Sequence, residues 1–312
     1  MKILIVGAGA MASLFGGRLA SNNNDVTLYN RQNEHVKEIN RNGLTIIEKN
    51  NDSTHVSLNI TQEISVNDEY DVVVVLIKAH ANQIVLEPIK AKISTKTLII
   101  TLQNGIGNLE TINKIFPYND TAAGGAGCGA SIERNGVITH RGWGKSYIGY
   151  PNDLKKKVLI EQFVQLLNDC GIETELAEDA QSVIWNKLMI NIAYNALTAL
   201  TRLRNGDLIN TKEGKELLSN IVREALQIAN VSGIKLKDTN PISECLRMGR
   251  EDIGGNKSSM LMDILNHRKT EVNVINGAIS REGKKLGIPT PYNDMITNMV
   301  EIIEANYKNQ VI

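Results

Sequence analysis

Cysteine is scarce in this chain of 312 residues, and charge of neither sign is in excess. The three cysteines, Cys128, Cys170 and Cys245, lie far apart. Their spacing fits neither a disulfide framework nor a zinc motif, so we expect free thiols, no metal site and a cytoplasmic location. Lysine plus arginine and aspartate plus glutamate both number 34, and no long basic block is present. Net charge therefore gives no reason to expect nucleic acid or an anionic membrane as a partner.

The N-terminal segment carries the most specific local motif of the chain. Residues 2–6 are a short β-branched run typical of a buried parallel strand, and residues 7–12 then supply Gly-x-Gly-x-x-Ala before a helix. The first glycine allows a tight turn, the second lets backbone amides approach a pyrophosphate, and the third position needs only a small side chain. This spacing argues against a signal peptide. It predicts a dinucleotide site formed by Gly7, Ala8, Gly9, Ala10, Met11 and Ala12.

The end of the second predicted strand, residues 25–29, indicates which dinucleotide is preferred. An enzyme that uses NAD typically has an acidic residue at this point for the ribose hydroxyls, whereas this chain has Asn30 and Arg31. A guanidinium is suited to hold a 2′-phosphate, so we predict NADPH/NADP+ as the cofactor. The alternative for Arg31 is an ordinary solvated arginine in a loop.

Two further buried strands are predicted at residues 70–77 and 97–102, each followed by polar residues. Lys78 follows the first strand and is well placed for a phosphate, because open α/β sheets bind ligands at the carboxyl ends of their strands. Asn104 follows the second strand, within reach of either the nicotinamide or the substrate. Both residues are therefore predicted to belong to the site.

Beyond Asp120 the residue composition and hydrophobic pattern of the sequence change twice. Small residues at 122–130 and short runs at 137–140 and 146–149 predict antiparallel strands that complete the sheet, followed by a helix over 153–168 and a strand at 172–176. From residue 179 the pattern is helical almost throughout, with turn signals at 205–206, 232–233 and 254–255. We therefore predict a domain of residues 1–178 and a helical domain of residues 179–312.

The first helix of the second half carries a polar stripe. Lys187, Asn191 and Asn195 are spaced i, i+4 and i+8, so they share one face of a helix whose other positions are mostly apolar. A buried lysine needs partners, which makes this stripe a candidate site. The alternative is a lysine whose ammonium group reaches solvent above two hydrogen-bonded amides.

A second concentration of polar residues spans residues 256–277 and contains two expected helix starts. Ser258 or Ser259 is expected to cap the first helix. Thr270 is expected to cap the second, with Glu271 in its opening turn, where a carboxylate favours the positive end of the helix dipole. Taken alone, these residues are readily explained as caps.

The chain resembles the ketopantoate reductase (2-dehydropantoate 2-reductase) family over nearly its whole length, in residue identity, order and spacing. The matching segments are the N-terminal Gly-x-Gly-Ala motif, Arg31, residues 76–79, residues 103–105, residues 185–188 with Asn191 and Asn195, residues 258–261 with Asp263, and residues 268–272 with 275–277. Members of the family often carry glycine where this chain has Ala12. That departure loosens the expected cofactor packing without removing the site.

The resemblance implies an α/β protein with an N-terminal Rossmann-type domain and an all-helical C-terminal domain of the 6-phosphogluconate-dehydrogenase-like type. It implies NADPH-dependent reduction of 2-dehydropantoate to pantoate, a step toward pantothenate and coenzyme A, and it is compatible with a homodimer. By the same resemblance Lys187 is the general acid, Glu271, Asn191 and Asn195 engage the substrate, and Ser259 contacts its carboxylate. Two alternatives stay open: a reductase of a different 2-oxo acid, and a non-catalytic NADP(H)-sensing protein.

Overall fold

The computed structural model describes residues 1–142, 144–150 and 157–310. The chain forms two compact units. The first comprises Met1–Gln103 and Asn108–Val183, and the second comprises Asn104–Gly107 together with the chain from Ile184 onward. The units divide within the first turns of a long helix, close to the predicted boundary after residue 178.

The first unit is built on strands alternating with helices. Its strands are β1 (Lys2–Val6), β2 (Asp25–Tyr29), β3 (Leu44–Ile47), β4 (Ser53–Val56), β5 (Asn59–Thr61), β6 (Val72–Val75), β7 (Leu98–Thr101), β8 (Thr121–Gly125), β9 (Gly129–Arg134), β10 (Val137–Gly142), β11 (Ser146–Gly149) and β12 (Thr174–Ala177). Its helices are α1 (Ala10–Ser21), α2 (Glu34–Asn42), α3 (Asn82–Leu86), α4 (Asn108–Ile115) and α5 (Lys157–Asp169). Residues 153–156 of the predicted fifth helix lie outside the described residues.

The main sheet has the strand order β12-β11-β8-β7-β6-β1-β2-β5. The strands from β8 to β5 are all parallel, which places the carboxyl ends of β1, β2, β6 and β7 at one edge. These strands are apolar because both faces of a parallel sheet are covered, and all four residues of β6 are completely buried valines. The predicted Rossmann-type architecture is confirmed.

The strands after Asp120 are arranged differently from our prediction. β8 is parallel to β7, and of the three predicted runs only β11 pairs with the main sheet in antiparallel orientation, against β8. β9 and β10 instead join β3 and β4 in a separate sheet of order β4-β3-β10-β9. The small residues of β8 permit close backbone packing, because a Cβ at Gly124 would overlap the carbonyl oxygen of Tyr147.

The second unit is helical. Its helices are α6 (Ala180–Thr201), α7 (Asn205–Ile209), α8 (Lys212–Val231), α9 (Pro241–Glu251), α10 (Ser259–Leu265), α11 (Asn276–Leu286) and α12 (Pro291–Ala305), with short 3-10 turns at Val272–Val274 and Tyr307–Asn309. α6 contributes Ile192, Ala193 and Ala196, all without solvent exposure, to the core of this unit. In the described chain, none of the helices combines the length and apolar character needed to cross a lipid bilayer.

Candidate functional site

The turn between β1 and α1 has the geometry that the glycine motif predicts. Gly7 adopts a φ of +123°, and an added Cβ would lie 3.1 Å from the carbonyl oxygen of Leu76, so only glycine fits without strain. An added Cβ at Gly9 would meet nothing within 4 Å. The backbone at Gly9 therefore borders open space, while Ala12 is completely buried in the core.

The N-terminus of α1 is open to an anion. Gly9 is the cap residue and supplies no side chain, so the cap residue itself makes no side-chain hydrogen bond to the first backbone amides of this helix. Those amides and the helix dipole favour a negatively charged ligand. The residues present thus fit a dinucleotide pyrophosphate over Gly7–Ala12.

The segment after β2 is basic rather than acidic. Arg31 is exposed, and within the described part of the chain no carboxylate pairs with its guanidinium. Asn30 is held by its own neighbour, since its Nδ2 donates to the carbonyl oxygen of Arg31 at 2.6 Å. The first acidic residue after Arg31 in the sequence is Glu34, and it pairs with Lys37 at 2.7 Å. A carboxylate that would repel a 2′-phosphate is therefore missing from the end of β2.

The ends of β6 and β7 lie at the same sheet edge. Lys78 is half-buried and precedes the 3-10 turn Ala79–Ala81. Gln103 follows β7, and its Nε2 donates to the carbonyl oxygen of Ile77 and to Oδ1 of Asn82, both at 2.7 Å. Asn82 in turn donates to Asn108 at 3.1 Å. The sequence analysis did not predict this buried amide network. Amide residues directly after predicted parallel strands are the sequence feature that could have indicated it.

The polar stripe of α6 becomes more buried along the helix. Lys187 and Asn191 are half-buried, and Asn195 is 5% exposed. The Nδ2 atoms of Asn191 and Asn195 are completely buried, and within the described residues neither has a hydrogen-bond partner. Because buried donors are normally paired, two orphan amides on one helical face indicate a place built for a ligand.

Glu271 is hydrogen-bonded to Asn104, which lies 167 residues earlier in the sequence. Nδ2 of Asn104 donates to Oε2 of Glu271 at 3.2 Å, and Glu271 is only 7% exposed. The backbone holds the two segments together, because the amide of Ile106 donates to the carbonyl oxygen of Val274 at 3.0 Å. At Gly105 an added Cβ would overlap that same oxygen, which explains the glycine.

Of the two expected helix starts in this segment, the first is confirmed and the second is wrong. Ser258 caps α10, and its Oγ accepts from the amide of Leu261 at 3.0 Å. Thr270 does not cap a helix directly, because α11 begins only at Asn276, and its Oγ1 instead accepts from the amide of Val272. Glu271 makes no side-chain cap bond either. Its carboxylate is thus oriented by Asn104 rather than by a helix terminus.

Two further polar residues lie in the second unit. Ser259 is exposed as the first residue of α10. Asn276 was part of the matching sequence but received no predicted role; it is completely buried and donates to Oδ1 of Asn293 at 3.0 Å, and its own Oδ1 has no partner within the described residues. A third buried, incompletely paired amide strengthens the polar character of this part of the second unit.

The fold and these groups define a class of protein: a dinucleotide-binding oxidoreductase whose Rossmann-type domain is followed by a helical domain with a lysine, amides and a carboxylate. Comparisons with known proteins agree. The family model for ketopantoate reductase PanE/ApbA matches residues 3–153, and that for its C-terminal part matches residues 179–304. The chain belongs to the ketopantoate reductase family.

Individual relatives cover almost the whole chain. The 2-dehydropantoate 2-reductase of Pyrococcus horikoshii is 34% identical over 311 residues, which is 98% of each protein. A solved D-mandelate dehydrogenase with NADH and anilino(oxo)acetate is 31% identical, with a TM-score of 0.92, and covers 99% of this chain and 100% of its own. A ketopantoate reductase from Ralstonia eutropha JMP134 is 26% identical, with a TM-score of 0.89 over 99% and 100% of the two chains.

Proposed function

We propose that this protein reduces 2-dehydropantoate to pantoate with NADPH. The observation that carries the proposal is the buried Glu271 carboxylate, oriented by Asn104, in the same helical unit as Lys187 and the orphan amides of α6. A carboxylate is a suitable acceptor for the substrate hydroxyl, and amides are suitable donors to oxygen atoms. The name of the Pyrococcus horikoshii relative supports the substrate.

The chain's own residues then have defined tasks. Reduction of a keto group requires a proton for the alkoxide that develops, and the Lys187 ammonium stabilises this charge and donates that proton. Asn191, Asn195 and the exposed Ser259 bind the polar groups of the 2-oxo acid, while Glu271 accepts from its hydroxyl. The hydride for the keto carbon is the chemistry that a bound nicotinamide supplies.

The choice of NADPH over NADH is part of the proposal. The exposed Arg31, without a carboxylate partner in the described chain, supports binding of a 2′-phosphate by charge-assisted hydrogen bonds. Gly7–Ala12 and Lys78 would hold the other phosphates. The D-mandelate dehydrogenase structure contains NADH, so the two cofactors have to be compared directly on this protein.

A second candidate function is the reduction of a different 2-oxo acid with the same residues. The D-mandelate dehydrogenase, with a TM-score of 0.92, favours this candidate, because mandelate is a 2-hydroxy acid that lacks the hydroxymethyl group of pantoate. A non-catalytic NADP(H) sensor is disfavoured by the retained Lys187 and its asparagine stripe. Initial rates of NADPH oxidation with a panel of 2-oxo acids separate the three candidates.

We also propose a homodimer in the cytoplasm. α12 exposes Met295, Met299 and Ile302, which are spaced i, i+4 and i+7 on one face and are therefore suited to a helix of a second subunit. The three cysteines are free thiols, and all three are buried. Light scattering on the purified protein tests the dimer, and a monomer at micromolar concentration would contradict it.

The decisive experiment compares 2-dehydropantoate with trimethylpyruvate, the same 2-oxo acid without the hydroxyl, on the wild type and Glu271→Gln. Loss of a charge-assisted hydrogen bond costs roughly 1.5 to 3 kcal/mol, so kcat/KM for 2-dehydropantoate should fall roughly tenfold to a hundredfold. The value for trimethylpyruvate should change far less. An equal fractional loss on both substrates would remove Glu271 from the substrate site.

A further inference from the structure

The loop that carries Glu271 begins with an uncommon helix end. α10 finishes in a Schellman-type turn, in which the amide of Arg268 donates to the carbonyl oxygen of Asp263 at 2.8 Å and that of His267 donates to Ile264 at 3.1 Å. His267 occupies the left-handed position with a φ of +51°, where glycine is usual. A histidine there requires support from the rest of the structure, and its ring stacks on Tyr307 with the centroids 5.0 Å apart.

Three side chains from the end of the described chain bind this loop. The hydroxyl of Tyr307 donates to the carbonyl oxygen of Arg268 at 2.6 Å. Oε1 of Glu304 accepts from the amide of Thr270 at 2.7 Å. A third bond is made after Glu271 in the chain, where Nδ2 of Asn273 donates to Oε1 of Glu301 at 2.9 Å. We call Glu301, Glu304 and Tyr307 the C-terminal clamp.

The clamp bonds lie on both sides of Glu271 in the chain. Thr270, immediately before it, is 4% exposed, so the amide held by Glu304 is largely removed from water. The Thr270 Oγ1 accepts from the amide of Val272 at 3.1 Å, which fixes the turn across Glu271. Burial and the neighbouring Glu304 raise the pKa of Tyr307 to about 12, so the hydroxyl keeps its proton and remains a donor into the alkaline range.

We propose that the C-terminal clamp positions the Glu271 carboxylate for recognition of the substrate hydroxyl, and so contributes to discrimination between 2-oxo acids. The proposal rests on the function proposed above. The clamp residues are positioning residues, because their bonds to the loop go to its backbone and to Asn273 and not to the carboxylate of Glu271. A purely structural clamp would instead support the helical unit without affecting the choice of substrate.

The test uses Tyr307→Phe, which removes one donor and keeps the ring, and Glu304→Ala, which removes one acceptor. Glu304→Gln is the conservative variant, because its amide oxygen can still accept from Thr270. The matched control is Glu282→Ala, which removes a carboxylate that pairs with Lys285 at 2.7 Å on the exposed side of α11. All four proteins are full-length, and urea unfolding first establishes that each is folded under the assay conditions.

The expected result is selective for the hydroxylated substrate. A net hydrogen bond of about 1 kcal/mol corresponds to roughly a fivefold effect, so Tyr307→Phe and Glu304→Ala should lower kcat/KM for 2-dehydropantoate about fivefold and that for trimethylpyruvate less than twofold. Glu304→Gln and Glu282→Ala should stay within twofold on both substrates. In a Glu271→Gln background the two clamp variants should cause no further loss. Equal losses on the two substrates, or full additivity with Glu271→Gln, would overturn the proposal.

Amide hydrogen exchange tests the C-terminal clamp independently of the proposed enzymatic activity. If the wild type does not reduce 2-dehydropantoate, the proposed function fails, and the clamp is judged by amide exchange in a peptide that covers residues 268–274. Exchange at least tenfold faster in Glu304→Ala than in Glu282→Ala would support a clamp that orders this loop. Unchanged exchange would overturn it whatever the substrate.

Discussion

Asn195→Leu should make the protein more stable and less active. The Nδ2 atom of Asn195 is buried without a partner in the described chain, and the residue lies among the buried α6 side chains Ile192, Tyr194 and Ala196. An unsatisfied buried donor costs about 1 to 3 kcal/mol, and leucine has the same branched arrangement of four side-chain heavy atoms without the polar ones. We therefore expect the free energy of unfolding to rise by about 1 to 2 kcal/mol in the absence of substrate.

The same substitution should impair catalysis. If the Asn195 amide donates to an anionic substrate, its loss should cost roughly 1.5 to 3 kcal/mol, which is a decrease in kcat/KM of about tenfold or more. Opposite signs for stability and activity are typical of residues kept for function. Urea unfolding followed by circular dichroism and initial rates of NADPH oxidation measure the two quantities.

Asn293→Leu is the matched control for this prediction. Asn293 is also helical and completely buried, but its Nδ2 donates to the carbonyl oxygen of Ile221 at 3.1 Å and to Oε2 of Glu224 at 2.7 Å. Asn293→Leu should be destabilised by about 1 to 3 kcal/mol. If Asn195→Leu is destabilised to a similar extent, its amide is already paired and the reasoning is wrong.

Three further predictions concern other parts of the chain. Lys187→Ala should lower kcat about a hundredfold or more while NADPH affinity, measured by fluorescence titration, stays nearly unchanged; a loss of only a few-fold would make Lys187 structural. The wild type should prefer NADPH over NADH at least tenfold in kcat/KM, about 1.4 kcal/mol, and Arg31→Asp should shrink or reverse this preference, whereas equal use of both cofactors by the wild type would contradict it. Burial lowers the pKa of His35 from 6.5, and its Nδ1 accepts from the amide of Gly136 at 3.1 Å, so its contribution to stability should be present above pH 6.5 and lost as the pH falls below it. Unfolding free energies between about pH 7 and 5 should fall less steeply for His35→Asn than for the wild type, and identical slopes would refute the assignment.

Local periodicity was sufficient to predict the N-terminal motif and the polar helix. Residues 3–6 are apolar and β-branched in part, which favours a buried strand, and Gly7 is the residue that tolerates the φ of +123° that follows. The spacing of Lys187, Asn191 and Asn195 defines a face of α6 without knowledge of its neighbours. Interactions within a few residues decide such features.

The position of the later strands required the tertiary structure. β9 and β10 were predicted as strands together with β11, but they join β3 and β4 in a separate sheet instead of completing the main sheet. The hydrogen bonds of a strand use backbone groups that all residues share, so the sequence of one strand specifies its pairing partner only weakly.

The surroundings of Glu271 show most clearly the difference between what local sequence predicts and what tertiary structure decides. Its sequence context predicted a carboxylate in the first turn of a helix, because acidic residues are favoured there. The folded chain instead brings Asn104 within 3.2 Å of it and holds the flanking backbone by Glu304 and Tyr307. The sequence by itself determined which side chains carry hydrogen-bonding groups, whereas only the tertiary structure decided which of those groups meet, because partners distant in the chain are brought together by packing and not by local conformational preference.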